Sequence, residues 1–302
     1  MKKEKEKRIQ DAFFYLFMIL MIGGCITYFA LYRHADGKVV EALPSESDYP
    51  VYSGKNVYEH WKTTLDSDEQ ILYEEIKESF LQFKSDFSTQ LKSITNEQMS
   101  ETYSAVLLDH PEIFWMRSYN AVPDLMENVN TRKNIQLVYA YDVDEAKDIK
   151  NKLELNYSKI IEGAKEQPND FKKIKYVHDK IIEMSTYTKY TEEELHEYQS
   201  IVSIFEEGKT VCAGHAYGFK FIMDQLGIES IVSRDISNED QSKNHIWNMV
   251  NLYGKWYNID ITYDSQMSEG DVIAYNYFLK SNEDFYTNHR MQKNIPKNEE
   301  WN

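Results

Sequence analysis

Apolar residues recur at steps of three and four along much of the chain, and this spacing predicts amphipathic helices. The longest such series follows Ser67 and Gln70, a pair with the form of a capping box at a helix start. Its apolar members are Leu72, Ile76, Phe80, Phe83, Phe87 and Leu91. The low numbers of glycine (11) and proline (6) also favour long helices over a turn-rich sandwich.

The same pattern predicts further helices, and short apolar runs predict strands. Helices are expected after Asn96, over residues 144–161, from Asn169, and from Val211 to Gly227, where glycine ends the pattern. Strands are expected over residues 135–141, 231–233, 245–251 and 255–262. Because the helices come first and a small antiparallel sheet follows, the chain is expected to be an α+β protein.

An uncharged, mostly apolar run of 21 residues (12–32) departs from this periodicity. It is long enough to cross the roughly 30 Å apolar core of a bilayer as one helix. Five basic residues precede it, so the N-terminus is expected in the cytoplasm and the rest of the chain outside. A buried helix, a cleaved signal peptide and lipidation at Cys25 are the alternatives. We expect an uncleaved, single-pass anchor in the cell membrane.

This topology gives the expected division of the chain. Residues 1–11 form a cytoplasmic tail, residues 12–32 the transmembrane helix and residues 33–65 a polar linker. Residues 66–165 are expected to form a helical lobe, and residues 166–302 a core of helices and strands.

Composition restricts the partners of the chain. Its 302 residues are 42% hydrophobic, enough for a sizeable core, and its net charge is −16. An acidic surface repels phosphate backbones, so no nucleic acid partner is expected. Beyond the predicted anchor only one cysteine remains, Cys212, and no disulfide can form there. A lone thiol outside the cytoplasm is either buried and inert or reactive.

Cys212 lies in "GKTVCAGHAYGFKF" (208–221), where a short loop runs into an apolar helix. Unpaired N–H groups and the helix dipole at that end favour negative charge and therefore stabilise a thiolate. A thiolate is a better nucleophile than a thiol. The position of Cys212 therefore predicts a nucleophile, which still requires a base.

The segment "NHIWNMVNLYGKWYNIDITYD" (244–264) supplies a base and a carboxylate in a predicted hairpin. If residues 251–254 form the loop, His245 lies directly opposite Asp260. If only Tyr253 and Gly254 turn, Asp260 is the diagonal neighbour of His245, on the same face. A loop of three or five residues would separate them. An aspartate that holds a histidine against a thiolate is a nucleophile–base–orienter arrangement.

Three segments in this order resemble the transglutaminase-like superfamily, whose papain-like core is shared with cysteine proteases. They are "GKTVCAGHAYGFKFIMDQLGI", "HIWNMV" and "WYNIDITYD". Upstream, "FKKIKYVHDKIIEMSTYTKY" resembles the helix leading into that core, and "DHPEIFW" resembles a segment of membrane-anchored bacterial members. The resemblance implies that Cys212 is the nucleophile, His245 the general base and then acid, and Asp260 the orienting residue.

Fold and activity follow from the resemblance as expectations. The nucleophile helix is expected to pack on a small antiparallel sheet in a papain-like core. The expected activity is cysteine-dependent acyl transfer on protein or peptide amides through a thioester, of the protease, amidase or transglutaminase type, without a cofactor. The expected partner is a protein or peptide at the bacterial cell envelope. The alternative is a binding or scaffold module that kept the fold and lost turnover.

Four further residues are candidates for roles at or near this site. Trp247, on the face of the predicted base, is expected either to shield the site or to pack in the core. His215 and Tyr187 are candidates for lining the site, and Asp264 is a possible substitute for the orienting aspartate. The chemical alternative is a zinc site in which Cys212-x-x-His215 supplies two of four ligands. Paired ligand motifs at both ends are missing, so no metal is expected.

Overall fold

The computed structural model describes residues 57–91, 93–121, 134–189, 195–235, 244–286, 289 and 294–296. The predicted cytoplasmic tail, the predicted transmembrane helix and most of the linker lie outside these residues. Among the helices within them, none has both the length and the apolar character needed to cross a membrane.

Three helices open the described part of the chain, and side-chain caps fix the start of the two longer ones. They are α1 (His60–Thr63), α2 (Ser67–Leu81) and α3 (Asn96–Asp109). Asp66 and Glu69 cap α2 reciprocally, and a capping box of the same kind begins at Thr95 before α3. The cap of α2 therefore lies one residue before the predicted pair Ser67 and Gln70, because Ser67 is already helical.

A three-stranded antiparallel sheet accompanies these helices, whereas the sequence indicated one strand in this region. Its strands, in the order β1-β3-β2, are β1 (Asp86–Ser88), β2 (Met116–Ala121) and β3 (Asn134–Tyr139). The segment "DHPEIFW" packs between sheet and helix: Trp115 is fully buried, stacks on Phe83 at 5.2 Å, and donates to the carbonyl of Phe80 at 3.0 Å. The N-terminal lobe is therefore a mixed structure of helices and strands.

Three further helices follow and pack against one another. They are α4 (Val143–Lys165), α5 (Asp170–Met184) and α6 (Cys212–Leu226). Asn169 caps α5, where the sequence placed the start of that helix. Between α5 and α6 run a short 3-10 turn, a π turn and the two-residue parallel strands β4 (Thr186–Tyr187) and β5 (Lys209–Thr210).

The C-terminal sheet is antiparallel and supports α6. Its strands, in chain order, are β6 (Ser230–Asp235), β7 (His245–Leu252) and β8 (Lys255–Ile259), followed by α7 (Ile261–Met267) and α8 (Asn282–Phe285). Asn248 on β7 donates to the carbonyl of Ala216 at 2.9 Å and ties the sheet to α6. Helices and small antiparallel sheets together make this an α+β fold.

The predicted last strand (255–262) is too long at its C-terminal end. β8 ends at Ile259, and Thr262 lies in α7. The physical reason is Asp260, whose side chain accepts a hydrogen bond from the N–H of Tyr263 at 3.0 Å and so begins a helix.

The N-terminal lobe and the C-terminal sheet share one buried core. The indole of Trp61 in α1 donates to the carbonyl of Val232 in β6 at 2.9 Å, with both groups buried. The core cluster of apolar residues runs from Trp61 to Ile261. This packing holds α3 and β2 close to the start of α6.

Candidate active site

Cys212 is the first residue of α6 and is partly exposed. Close packing fixes this helix start: a Cβ on Gly214 would lie 2.0 Å from Oγ1 of Thr210 and 2.4 Å from Oγ of Ser203. Thr210 and Ser203 are themselves joined by a hydrogen bond of 2.8 Å. Only glycine allows the first turn to approach so closely, so this contact positions the thiol.

A two-residue turn sets the register of the hairpin that carries the base and the carboxylate. Tyr253 and Gly254 both have positive φ, 55° and 83°, as a tight β-hairpin requires. Leu252 pairs with Lys255, and Asn248 pairs with Ile259. This is the second of the two registers considered from the sequence. Continued pairing would put residue 262 opposite residue 245, but the chain leaves the sheet at residue 260.

His245 and Asp260 lie in direct contact at the end of this hairpin. Nε2 of His245 donates to Oδ2 of Asp260 at 2.6 Å. The Asp260 side chain is buried, and its other oxygen, Oδ1, caps α7. The aspartate is therefore held from both sides, by a ring nitrogen and by a helix start.

A second histidine, His289, donates from Nε2 to the same oxygen of Asp260 at 3.0 Å. His289 is buried and stacks on Phe285 with a ring separation of 3.9 Å. Burial alone would raise the pKa of Asp260, yet the hydrogen bonds from His245 and His289 hold it at about 2. The carboxylate is thus ionised over the whole physiological range.

The remaining nitrogen of His245, Nδ1, is the one available to the thiol of Cys212. Burial alone would lower the pKa of His245, but hydrogen bonds with Asp260 and with Cys212 raise it to about 10. The imidazole is therefore protonated at neutral pH. A cation beside the thiol, at a helix N-terminus, favours the thiolate.

Aromatic packing fixes the plane of the His245 ring. Tyr263 is nearly parallel to it, with an interplanar angle of 17° and a centroid separation of 4.8 Å. Trp247 lies farther away, at 6.1 Å and 23°. The ring is therefore held in orientation by packing as well as by the aspartate.

Cys212 and His245 open onto a cleft of about 620 Å³ between the N-terminal lobe and the sheet. One side is formed by residues around α3 and β2, including Leu107, Phe114 and Arg117. The other side carries the thiol, the imidazole and the residues beside them. The chemically reactive pair is therefore accessible to a ligand of peptide size.

The weaker candidates lie elsewhere. His215 is buried between Ser185 and Thr262, each at 3.0 Å, and burial lowers its pKa to about 4, so it is a neutral structural ring. Trp247 is 1% exposed and donates to Oδ1 of Asn258 at 3.2 Å. Neither lines the cleft. Tyr187 is 39% exposed on β4 and is also absent from the cleft walls.

Asp264, the possible substitute for Asp260, has other partners. Nε2 of His178 approaches its Oδ2 at 3.2 Å, and the N–H of Tyr277 donates to its Oδ1 at 2.9 Å. Asp264 is fully buried there and supports the link between α5 and α7. Asp260 is therefore the aspartate that contacts His245.

The ligand set of the alternative zinc site does not assemble, because His215 is held by hydroxyl groups away from the cleft. Within the described residues, His245, Asp260 and His289 form a group whose donor atoms lie within 4.8 Å of one another, as metal ligands do. In this group the Nε2 atom of each histidine already forms a hydrogen bond with the Asp260 carboxylate. The residue that sequence reasoning missed is His289, which no motif marks.

The fold and the geometry together define a class of protein. A cysteine begins a helix that packs on an antiparallel sheet, and a histidine bound to an aspartate faces the cysteine, as in a nucleophile–base–orienter set. This is a core of the cysteine protease and transglutaminase type.

The particular family follows from the sequence itself. Residues 158–261 match the profile of the transglutaminase-like superfamily, and this part of the chain is a transglutaminase-like core. No curated protein matches the chain.

Three solved structures align with parts of the chain. A crystal structure of a TGase is 16% identical, with 59% of this chain and 50% of that one covered and a TM-score of 0.32. A candidate cysteine protease from Cytophaga hutchinsonii is 14% identical, with 49% and 65% covered and a TM-score of 0.28. A candidate protease from Parabacteroides distasonis is 11% identical, with 44% and 29% covered and a TM-score of 0.28. This chain spans half the length of the TGase.

Proposed function

We propose that this protein is a cysteine-dependent acyl-transfer enzyme that acts on amide bonds of proteins or peptides. The observation that carries the proposal is the position of His245, which contacts Asp260 at 2.6 Å and lines the same open cleft as Cys212. A scaffold function would not require a protonated histidine beside an accessible thiol.

In the first half of the reaction, the Cys212 thiolate attacks the amide carbonyl and a C–S bond forms. The N–H of Cys212 is the natural donor to the oxygen that becomes negative. His245 gives its proton to the departing nitrogen as the C–N bond breaks, and a thioester remains on Cys212. Because hydrogen bonds raise the pKa of His245 to about 10, the proton is in place at neutral pH.

In the second half, His245 takes a proton from water or from an amine, which then attacks the thioester. The C–S bond breaks and the thiolate returns. Water gives hydrolysis, and an amine gives a cross-link. The choice depends on how well the cleft excludes water and holds a second substrate.

The proposed location is the outer face of the cell membrane. Residues 12–32 anchor the chain, and the enzyme domain reaches proteins or peptides of the envelope. Protease treatment of intact cells tests this: the domain containing Cys212 is expected to be digested from outside. Protection in intact cells together with digestion in lysed cells would contradict the location without affecting the chemistry.

Alkylation across pH tests the chemistry. Iodoacetamide labelling of the full chain in detergent, read by peptide mapping that separates Cys212 from Cys25, is expected to be faster at Cys212 in the wild type than in His245→Ala at neutral pH, because the neighbouring imidazolium favours the reactive thiolate. His245→Ala is expected to return Cys212 to ordinary behaviour. An ordinary profile in the wild type would favour the binding or scaffold module.

A further inference from the structure

The cleft is lined by an unusual choice of basic residues. The chain has six arginines, and two of them, Arg117 and Arg234, lie within the described residues. Both line the cleft that contains Cys212, and among the residues that the structure describes no lysine does. Within the described part of the chain, Asp235 is the one carboxylate in the cleft lining, although the whole chain has a net charge of −16. The charge of the described cleft lining is therefore opposite in sign to the net charge of the molecule.

The two arginines come from different parts of the fold. Arg117 belongs to β2 in the N-terminal sheet, and Arg234 belongs to β6, one residue before the position that pairs with His245. Arg234 is partly buried, and this burial lowers its pKa, whereas Tyr217 and Glu101 act in the opposite direction. Arg234 thus lies close to the predicted base, and Arg117 extends the basic lining toward the other lobe.

Arginine suits one kind of ligand in particular. Its planar guanidinium binds a carboxylate through two parallel hydrogen bonds, which the ammonium of lysine cannot do. Apolar cleft residues such as Leu107 and Phe114 reduce the screening of such a pair by water. A cleft that concentrates positive charge also attracts anions from solution.

We propose that the cleft selects acidic peptides, in which a carboxylate close to the attacked amide binds Arg117 and Arg234. This inference rests on the proposed function, because it assigns the substrate class of the same site. It also assigns the role of the cleft wall that the N-terminal lobe contributes.

Protection of Cys212 measures binding independently of turnover. The full chain in detergent is alkylated with iodoacetamide in the presence of peptides that carry Glu, or the isosteric Gln, at each position around one amide. Glu peptides are expected to protect Cys212 at about tenfold lower concentration than their Gln partners, because a hydrogen bond between two charged groups is stronger than one to a neutral amide. Added salt is expected to reduce the difference.

Variants assign the effect to the two guanidinium groups. Arg234→Gln and Arg117→Gln are each expected to remove most of the preference for Glu, and Arg234→Lys to retain only part of it. Lys165→Gln, which removes an exposed cation at the end of α4, is the matched control and is expected to keep the full preference. Melting temperatures of all variants identify any that fail to fold. If a glutamine variant does not fold, the comparison of Arg234→Lys with the wild type tests the inference.

The outcomes separate this inference from the proposed function. Equal or weaker protection by Glu peptides would overturn the substrate class, whatever the turnover. A preference for Glu that survives both Gln variants would overturn the assignment to the arginines. An ordinary alkylation profile of Cys212 with selective protection by Glu peptides would instead contradict the enzymatic proposal while the acidic-peptide specificity stood.

Discussion

Asp260 accepts hydrogen bonds from His245 and His289 at the same carboxylate oxygen, with distances of 2.6 and 3.0 Å. Its second oxygen accepts from the N–H of Tyr263 at 3.0 Å. Three donors on one buried carboxylate explain why its pKa stays at about 2 although burial opposes ionisation. Two histidines therefore share one anion, and one of them faces the thiol.

Asp260→Asn is expected to reduce turnover by about 10²–10⁴-fold, the usual contribution of a positioned acid–base group. Without the carboxylate, the pKa of His245 falls toward its ordinary value, and Cys212 loses its neighbouring cation at neutral pH. The alkylation profile of Cys212 across pH measures the change. Asp271→Asn, at an exposed turn, is the control and should behave as the wild type.

His289→Ala is expected to lower the free energy of unfolding by about 1–3 kcal/mol, because a buried carboxylate loses a donor. The pKa of Asp260 then rises. A carboxylate with a depressed folded-state pKa stabilises the fold above its unfolded pKa and loses this contribution as pH falls through the folded value. The variant is therefore expected to unfold at a higher pH during acid titration.

His289→Gln, which keeps a donor, should recover part of the loss. Denaturation by urea at several pH values between 2 and 7 measures both variants. If His289→Ala and the wild type unfold at the same acid pH, the hydrogen bond to Asp260 contributes nothing to the ionisation of the carboxylate.

The raised pKa of His245 predicts an alkaline limit. A histidine whose folded-state pKa is raised contributes stability that is complete below its unfolded value of 6.5 and is lost as pH rises through about 10. The stability difference between wild type and His245→Gln should therefore narrow as pH approaches 10. Turnover should fall over the same interval, because the proton for the leaving amine is lost. If the stability difference between the two proteins has already disappeared at pH 7, His245 and Asp260 do not form an ion pair.

Gly214→Ala is expected to displace the start of α6 and to destabilise the fold by about 1–3 kcal/mol, as overpacking does. The added Cβ would lie 2.0 Å from Oγ1 of Thr210, which is buried and bonded to Ser203. Cys212 reactivity should fall as well. Gly218→Ala is the matched control in the same helix, since its Cβ would meet Ile204 at 3.3 Å. Equal effects of the two changes would contradict the positioning role of Gly214.

Lys220 and Asp224 form a buried ion pair on α6, with two contacts of 2.7 Å. Asp224→Leu leaves the Lys220 charge buried without a partner, and it is expected to cost about 3–5 kcal/mol. The double variant Lys220→Met, Asp224→Leu should recover much of this loss, because it buries no charge. Chemical denaturation of the three proteins measures the effect. A double variant as unstable as the single one would mean that the pair itself stabilises the fold.

The start of α5 and the end of α6 could be predicted because their signals are local. The apolar series through Leu91 predicted too long a helix, since α2 ends at Leu81 and Phe87 lies in β1. Asn169 caps α5 through its own side chain, and Gly227 ends α6 with a left-handed backbone (φ 70°). The turn signal at Tyr253 and Gly254 favoured two hairpin registers, both of which put His245 and Asp260 on one face, although a loop of three or five residues would have separated them. These features depend on residues a few positions apart.

The sequence analysis was wrong where one residue has two roles, and it missed residues that come together only through tertiary packing. Asp260 follows a strand pattern, but it acts as a helix cap, so β8 ends three residues early. His289 lies 29 residues from Asp260 and meets it only through tertiary packing. The cleft is likewise assembled from α3, β2, α6 and β6, so Arg117 and Arg234 carry no signal in their own neighbourhoods.

The double use of Asp260 decides how an inert form of this protein should be made. Replacing the aspartate with a residue that cannot cap a helix, such as alanine, would silence the histidine and also fray the first turn of α7, so a lost activity would not report on chemistry alone. Cys212→Ser changes one partly exposed atom and leaves the cap intact. It is therefore the substitution of choice for capturing bound peptides.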